Sequence, residues 1–218
     1  MNSSGSPSHE PGWDTAWNTH LHSSRSTWDG AAALGCNPNQ TWTSPEGANE
    51  NLPINCVNWF QAQAFCIWDG GFLPSEAEWN YAAAGGDEQR LYPWGAVAPG
   101  PNANLAVYGC YYNGAGSCSG VTNIAPVGFA SAGVGRYGQV DLAGNVYEWN
   151  LDWYVTPYPT TTSCNDCAYA PLSATGRVVR GGSFRDAAQL QRTTSRNGVG
   201  PSVRSIGDLG VRCARSAQ

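Results

Sequence analysis

The residues able to carry out acid–base or metal chemistry are distributed unevenly along the chain. Its three histidines, His9, His20 and His22, all lie within the first 22 residues, and lysine is absent. Serine–histidine or cysteine–histidine nucleophile pairs, and zinc or iron sites built on histidine, would therefore require the N-terminal segment to fold back over a later site. Without lysine the chain has no Schiff-base nucleophile and no Walker A motif. Most of the common sets of catalytic residues are therefore missing.

Cysteine is the other reactive residue type, and the chain contains eight. An even and high count is typical of disulfide-bonded proteins from oxidising compartments. Cys164 and Cys167 have the spacing of a redox motif, but such a pair normally begins a helix, whereas this one follows Pro157, Pro159 and a run of threonines. We interpret the pair as a structural clamp on a loop. An oxidoreductase that uses these two cysteines remains the alternative.

Length and composition indicate one domain rich in loops and aromatic packing. The 218 residues include 27 glycines and 10 tryptophans, and 12% are charged, about half the ~25% typical of soluble domains. A formal charge of −5 and the lack of an arginine run argue against nucleic-acid binding. No stretch approaches the ~18 apolar residues of a membrane span. The N-terminus lacks an export signal, so we interpret the chain as a mature extracellular or periplasmic protein.

The strongest helix signals stand in the first half of the chain. Asn58 to Asp69 combines an N-capping residue with a run free of proline and glycine, and we expect Phe60, Ala64 and Ile67 on its buried face. A weaker helical pattern lies near Trp13 to Leu21. The sequence therefore predicts one firm helix and a less regular segment before it.

A second helix signal follows directly, and strands come later. Ser75-Glu76-Ala77-Glu78 is a capping box, and Gly85-Gly86 ends the apolar run that follows it. Short strands are predicted at Val146 to Tyr154, Arg177 to Phe184 and Gly210 to Ala214. The pattern predicts an α+β fold in which residues 1–52 form an arm and loops and residues 53–218 form the domain.

An ordered series of segments extends from about Pro53 to Arg215: NCVNWFQAQAFCIWDGGFLPSEAEWNYAAAGG, YPWG, ANL, APVG, GRYGQVDLAGNVYEWNLDW, RVVRGGSF and GVRCA. This series resembles the formylglycine-generating enzyme (sulfatase-modifying factor) family. The resemblance implies that family's variant of the C-type lectin-like fold, with two short helices, short antiparallel strands and little regular secondary structure. The family usually opens with a strand bearing a GG-x-F-x-MG-type motif, which is missing before Pro53. We therefore expect truncation, or completion by a strand from a partner chain.

The chain departs from the family at the catalytic cysteines. Oxidases of the family bind copper through two cysteines just after the GGS segment and convert a substrate cysteine to formylglycine. Here Gly181-Gly182-Ser183-Phe184 is followed by residues 185–191, which contain no cysteine. Asp186 and Gln191 do not supply the soft sulfur donors that Cu(I) prefers. We therefore expect no copper and no oxidase activity.

The resemblance also implies a disulfide between Cys66 and Cys213, because the family bridges these positions. In the loop-entropy model, a bridge that closes nearly the whole domain stabilises it by about 5 kcal/mol. Eight cysteines permit 105 connectivities, so the other pairs are inferred from proximity. These pairs are Cys36 with Cys56, Cys110 with Cys118 and Cys164 with Cys167.

Four residues within positions 141–148 resemble the ligands of the family's calcium loop: Asp141, Gly144, Val146 and Glu148. The two carboxylates and the carbonyls of Gly144 and Val146 are hard oxygen donors that suit Ca²⁺, which would have a structural role. The alternative is that these are turn and strand residues that bind no ion, and the resemblance favours calcium over that alternative. The resemblance implies a second calcium site at Asn104, Leu105 and Val121. That site is weaker, because a usual aspartate of the family is Ser119 here.

Six residues lie in segments that line the family's substrate cleft: Trp149, Trp153, Ser183, Arg185, Asp186 and Arg196. A tryptophan taken alone is more often a core residue than a ligand contact. Together, aromatic rings with an arginine and a carboxylate near the rim suit the capture of a peptide or glycan. The resulting interpretation is a non-catalytic binding or structural module. The alternatives are an enzyme, through the Cys164 pair or another activity of the cleft, and an assembly subunit or oligomer completed by a partner.

Overall fold

The computed structural model describes residues 12–24, 36, 39–101, 103–114, 118, 120–158, 168, 174–204 and 206–216. Within these ranges the regular elements are two α-helices and four short strands: α1 (Trp59–Trp68), α2 (Glu76–Ala84), β1 (Tyr147–Trp153), β2 (Arg177–Arg180), β3 (Arg196–Val199) and β4 (Leu209–Gly210). Short 3₁₀ helices lie at Thr15–His20, Gly86–Glu88, Gly120–Asn123, Ser131–Gly133 and Ala188–Gln191. The described chain is therefore an α+β fold in which irregular segments connect few regular elements.

Both helices begin at the residues that the sequence predicts. Asn58 accepts the Gln61 N–H at 2.9 Å, and the Gln61 side chain accepts the Asn58 N–H at 3.0 Å. Ser75 and Glu78 make the equivalent reciprocal pair, at 3.2 and 2.7 Å. Gly85 ends α2 in the left-handed conformation, with φ of 70°. These caps satisfy backbone groups that a helix end would otherwise leave without partners.

The buried face of α1 includes Phe60, as predicted, but not Ile67. Ile67 is 39% exposed, whereas Trp59 and Cys66 are fully buried. The indole N–H of Trp59 donates to the Asn150 carbonyl at 2.8 Å, and Cys66 is bridged to Cys213. These two contacts fix the rotation of α1 about its axis, which leaves Ile67 at the surface.

The four strands form one sheet in the order β3-β2-β1-β4. β1 pairs antiparallel with β2, β2 pairs antiparallel with β3, and β4 adds to β1 in parallel. Glu148 on β1 lies opposite Arg180 on β2 in the register. The sheet places β4 directly beside β1, although β2 and β3 lie between these two strands in the chain.

The strand predictions were correct in position but not in extent. β2 stops at Arg180, before the predicted end at Phe184, because Gly181 and Gly182 take positive φ angles of 93° and 71°. β4 is limited to Leu209–Gly210, and Ala214 makes an isolated bridge instead. β3 was not predicted, because the segment Arg196–Val199 has the sequence RNGV and lacks a strand-like alternation of apolar residues.

The largest part of the core lies between α1 and the sheet. It is centred on five fully buried side chains: Trp59, Leu73, Trp149, Val179 and Leu209. Trp17, from the 3₁₀ helix Thr15–His20, packs edge-on against Trp59 with ring centroids 5.1 Å apart. The segment 12–24 therefore packs directly on the core.

Three disulfides tie the irregular segments together: Cys36–Cys56, Cys66–Cys213 and Cys110–Cys118. These are three of the four expected pairs, and the fourth, Cys164–Cys167, lies outside the described residues. Cys66–Cys213 joins residues 147 positions apart, so it connects α1 to the segment after β4. Of the helices described, none combines the length and apolar character required to cross a membrane.

Candidate functional site

In the segment after β2, Asp186 and Gln191 stand where the resemblance to the family's oxidases implies the two catalytic cysteines. The Asp186 carboxylate accepts the Ser183 N–H at 2.9 Å and the Ser183 hydroxyl at 2.7 Å. The Gln191 side chain donates to the Ser183 carbonyl at 3.3 Å. Both side chains therefore converge on Ser183, which is fully buried.

Gly182 makes room for this convergence. A Cβ atom built on Gly182 would lie 2.7 Å from the Gln191 Oε1 atom, and the φ of 71° is one that only glycine adopts readily. Gln191 is 1% exposed and fills the space beside the glycine. The groups presented at these positions are a carboxylate and an amide. They do not fit Cu(I), which prefers sulfur donors.

Asp208, which the sequence analysis did not single out, completes the cluster. Its carboxylate lies 3.1 Å from the Ser183 hydroxyl and 3.4 Å from the Arg185 guanidinium. Burial raises the pKa of Asp208, and the nearby Asp186 raises it further, while Arg185 and Ser183 act in the opposite direction. Asp208 lies 25 residues from Ser183 and has no local motif, so no sequence signal marked it.

Tyr147 lies on the other side of Asp186. Burial raises the pKa of the Tyr147 hydroxyl, and this hydroxyl is hydrogen-bonded to the Asp186 carboxylate. The tyrosine therefore remains protonated and donates to Asp186. Together with Ser183, which donates to both Asp186 and Asp208, it surrounds the Asp186 carboxylate with hydrogen-bond donors.

The two tryptophans predicted for the cleft have structural roles. Trp149 is fully buried, and its indole N–H donates to the Val57 carbonyl at 2.9 Å. It belongs to the core, so its assignment to the cleft was wrong. The Arg177 guanidinium carbon lies 4.0 Å from the ring centroid of Trp153 and 3.7 Å from that of Trp59. The cation–π contacts hold Arg177 in the interior.

Arg196 lies in a different group of charges, which we call the balanced cluster: Glu76, Asp152, Arg180 and Arg196. Arg196 binds the Glu76 carboxylate through two nitrogens, at 2.7 and 2.5 Å, and Arg180 lies 3.5 Å from the same carboxylate. Asp152 accepts the Glu76 N–H at 2.6 Å. Burial lowers the pKa of Arg180 to about 10, against the effect of Glu76. The cluster thus joins α2 to β1, β2 and β3.

The predicted calcium loop forms a small cavity. Asp141, Gly144, Val146 and Glu148 all line a space of about 120 Å³. Asp141 has a φ of 59°, and its carboxylate accepts the Gly128 N–H at 2.6 Å. The Glu148 carboxylate binds Arg212 at 2.7 Å and the Trp79 indole N–H at 2.7 Å. The four predicted ligand residues therefore share one cavity.

The charge of this cavity suits a cation. Two carboxylates face one arginine, and burial raises the pKa of Asp141, with a further upward contribution from Glu148. Among the described residues, no group of three or more His, Cys, Asp or Glu side chains is placed to hold a metal. A calcium ion here would therefore need backbone carbonyls in addition to Asp141 and Glu148, as the family loop implies. The donor set fits Ca²⁺.

The second calcium site stays a prediction. The Val121 carbonyl accepts the Ile124 N–H at 2.9 Å. The Leu105 carbonyl packs against Gly133, where a Cβ atom would meet its oxygen at 1.9 Å. Asn104 is exposed, and Ser119 lies outside the described residues. The contacts of Leu105 and Val121 therefore add no support for this site.

Comparison with known proteins identifies relatives along nearly the whole chain. A model of the sulfatase-modifying factor enzyme 1-like domain matches residues 13–217. The chain is 34% identical over 191 residues to the inactive Cα-formylglycine-generating enzyme 2 of Mus musculus, covering 83% of this chain and 56% of the relative. It is 35% identical over 187 residues to the formylglycine-generating enzyme of Streptomyces coelicolor, covering 81% and 58%. The chain thus spans little more than half of these relatives.

Solved structures resemble the described fold. Treponema denticola variable protein 1 superposes with a TM-score of 0.56 and 27% identity, covering 83% of this chain and 78% of that protein. PvdO from Pseudomonas aeruginosa superposes with a TM-score of 0.62 and 25% identity, covering 77% and 63%. The similarity in sequence therefore extends to the arrangement of the elements.

Proposed function

Because the chain belongs to the sulfatase-modifying factor enzyme 1-like family, we propose that it is a non-catalytic binding or structural module of that family. One observation carries the proposal. The two positions that would hold the catalytic cysteines are Asp186 and Gln191, and both are hydrogen-bonded to Ser183. This cluster offers no thiolate for copper and no thiol for exchange with a substrate cysteine. The inactive formylglycine-generating enzyme 2 among the relatives supports such a role.

The proposal extends to fold type and calcium. We assign the chain to the family's variant of the C-type lectin-like fold, a finer assignment than the α+β architecture described above. We also propose that Asp141 and Glu148, with the carbonyls of Gly144 and Val146, hold a structural calcium ion. The shared cavity and its excess of negative charge support this site. Calcium would neutralise the buried carboxylates and fix the loop that leads into β1.

The location and ligands follow from the same features. We propose an extracellular or periplasmic location, supported by the three disulfides. The ligand class is a peptide or a glycan, since binding requires a shaped surface with polar partners and the oxidation requires the metal as well. A partner protein that adds a strand is a further possibility within this proposal.

An oxidation assay tests the non-catalytic assignment. A sulfatase-type peptide containing Cys-x-Pro-x-Arg is incubated with the protein, Cu(I), reductant and oxygen, and its mass is measured. The expected result is an unchanged cysteine, with the Streptomyces coelicolor formylglycine-generating enzyme as positive control. Copper-dependent aldehyde that disappears in C164S or C167S would overturn the proposal and assign an oxidase to that pair.

A further inference from the structure

A polar pocket of about 360 Å³ opens between α2 and the segment around β3. We call it the tyrosine pocket. Tyr81 and Tyr158 stand at its rim, together with Asn80, Gln89 and Thr194, and the balanced cluster contributes Glu76, Arg180 and Arg196 to its floor. It shares no residue with the network around Ser183. Its volume is within the range of small-molecule sites, about 300–1,000 Å³.

The two tyrosine rings are exposed but held in place. Tyr81 is 58% exposed and stacks on Tyr137 with an interplanar angle of 8°. Gly86 permits this arrangement, because a Cβ atom there would lie 2.5 Å from the Tyr137 hydroxyl oxygen. Tyr158 is 45% exposed, and the Arg196 guanidinium lies 5.0 Å from its ring centroid. Rings fixed in this way lose little conformational entropy when a ligand packs against them.

The charged side chains of the floor, Glu76, Arg180 and Arg196, belong to the balanced cluster, whose formal charge is zero once Asp152, which accepts the Glu76 N–H, is counted. Glu76 and Asp152 balance Arg180 and Arg196, and Glu76 already receives two hydrogen bonds from Arg196. Arg196 also donates to the Val155 carbonyl, and Arg180 donates to the Thr193 carbonyl. An anion would therefore have to displace these partners and would still lose its hydration. The pocket favours a neutral ligand.

The rim offers neutral hydrogen-bonding groups of both kinds. Asn80 accepts a hydrogen bond from Arg180 through its Oδ1 atom, so its amide nitrogen is a donor. Gln89 donates to the Gly86 carbonyl at 2.8 Å, so its Oε1 atom is an acceptor. Thr194 adds an exposed hydroxyl that can serve as either.

We propose that the tyrosine pocket binds a neutral hexopyranose unit of a carbohydrate. A pyranose ring has an apolar C–H face that can pack on a tyrosine and a rim of hydroxyls that both donate and accept hydrogen bonds. The pocket supplies two fixed aromatic rings and neutral amide and hydroxyl groups around a floor whose charged side chains are paired with one another. This inference rests on the proposed function, since it names the ligand class of a binding module.

Saturation-transfer NMR on the 218-residue chain tests the inference, with the methyl glycosides of glucose, galactose, mannose and N-acetylglucosamine as probes. An oligosaccharide array is the second arm. Binding of a methyl glycoside assigns the pocket to a terminal sugar, and binding on the array alone assigns it to a sugar within a chain. Either result supports the proposal. Absence of binding in both arms, at millimolar glycoside, overturns it.

Substitutions of residues that line the tyrosine pocket test whether the sugar binds there. Y158A and Y81A are expected to weaken binding at least tenfold, and T194W is expected to block the pocket by bulk without removing a buried contact. Y111A is the matched control, because Tyr111 is 42% exposed and lies outside the pocket. Unchanged affinity in Y158A and T194W would overturn the proposal, as would displacement of the sugar by inorganic phosphate or acetate.

The two proposals fail in different ways. A chain that binds no sugar and forms no aldehyde refutes the tyrosine pocket and leaves the non-catalytic assignment in place. A chain that forms copper-dependent aldehyde refutes the non-catalytic assignment, whatever the sugar result.

Discussion

Two groups of charged side chains differ in their balance. The balanced cluster contains two carboxylates and two arginines. The second group, which we call the acidic region, combines the calcium loop with the network around Ser183 and contains four carboxylates and two arginines: Asp141, Glu148, Asp186, Asp208, Arg185 and Arg212. The two regions meet at Trp79, whose indole N–H donates to Glu148 at 2.7 Å while its ring lies 4.9 Å from the Arg180 guanidinium.

The difference shows how charge balance decides what each region can bind. Glu148 and Arg180 are register partners on β1 and β2, yet Glu148 pairs with Arg212 and Arg180 with Glu76. In the balanced cluster the formal charges sum to zero and Glu76 is paired with both arginines, so the region stabilises the fold without needing a bound ion. In the acidic region burial raises the pKa values of Asp141 and Asp208, and a neighbouring carboxylate makes a smaller contribution in the same direction in each case. That region therefore favours a cation.

The largest loss of stability is expected when the balanced cluster loses the negative charge of Glu76. E76Q removes the carboxylate shared by Arg180 and Arg196 and leaves the buried Arg180 and the half-buried Arg196 without their main partner. We expect the free energy of unfolding to fall by about 3–5 kcal/mol, measured by urea denaturation.

E88Q is the matched control for that experiment. Glu88 also contacts two arginines, Arg90 at 2.5 Å and Arg136 at 3.1 Å, but its side chain is 43% exposed. Because water solvates and screens these charges, we expect a much smaller loss of stability. Equal losses in E76Q and E88Q would contradict the view that burial makes the balanced cluster important.

The second largest effect is stabilisation by calcium, which we expect because the acidic region has more carboxylates than arginines. Calcium added at about 100 times its dissociation constant is expected to stabilise the folded chain by about 2.7 kcal/mol, and chelation should reverse the increase in Tm. D141N is expected to abolish this response.

Asp186 provides the control within the same region. D186N removes a negative charge but none of the proposed calcium ligands, so its calcium response should remain. A Tm that is insensitive to calcium and chelator in the wild-type chain, with no metal found by elemental analysis, would refute the calcium site.

The smallest effect is a pH dependence that arises from Asp208. Because the pKa of Asp208 is raised in the folded state, its ionised form costs stability at neutral pH. That cost disappears as the pH falls through the raised pKa towards the ordinary value of 3.8. We therefore expect D208N to gain stability relative to wild type at pH 7, and to lose that advantage at pH 4.

The groups that face Asp208 are Ser183, Arg185, Asp186 and Tyr147. R185Q removes the opposite charge, so it should raise the pKa of Asp208 further and increase the pH dependence. Urea unfolding at both pH values measures this. An advantage of D208N that grows as the pH falls would show that the sign is wrong.

The sequence by itself determined the features in which the interacting residues are near neighbours in the chain. The caps of α1 and α2 join residues three apart. The residues from Asp141 to Glu148 meet at one cavity because the loop between them is short. Such contacts depend on local backbone geometry, so residue type and spacing are sufficient to predict them.

Tertiary structure alone decided the features in which the partners are far apart. Arg196 reaches Glu76 across 120 residues, and Asp208 reaches Ser183 across 25. Trp149 became a core residue, although its segment suggested a cleft. β3 formed because β2 offered a free edge to a segment with weak strand propensity of its own. Each of these outcomes depends on which surfaces pack together, and the spacing of residues along a chain carries no information about that packing.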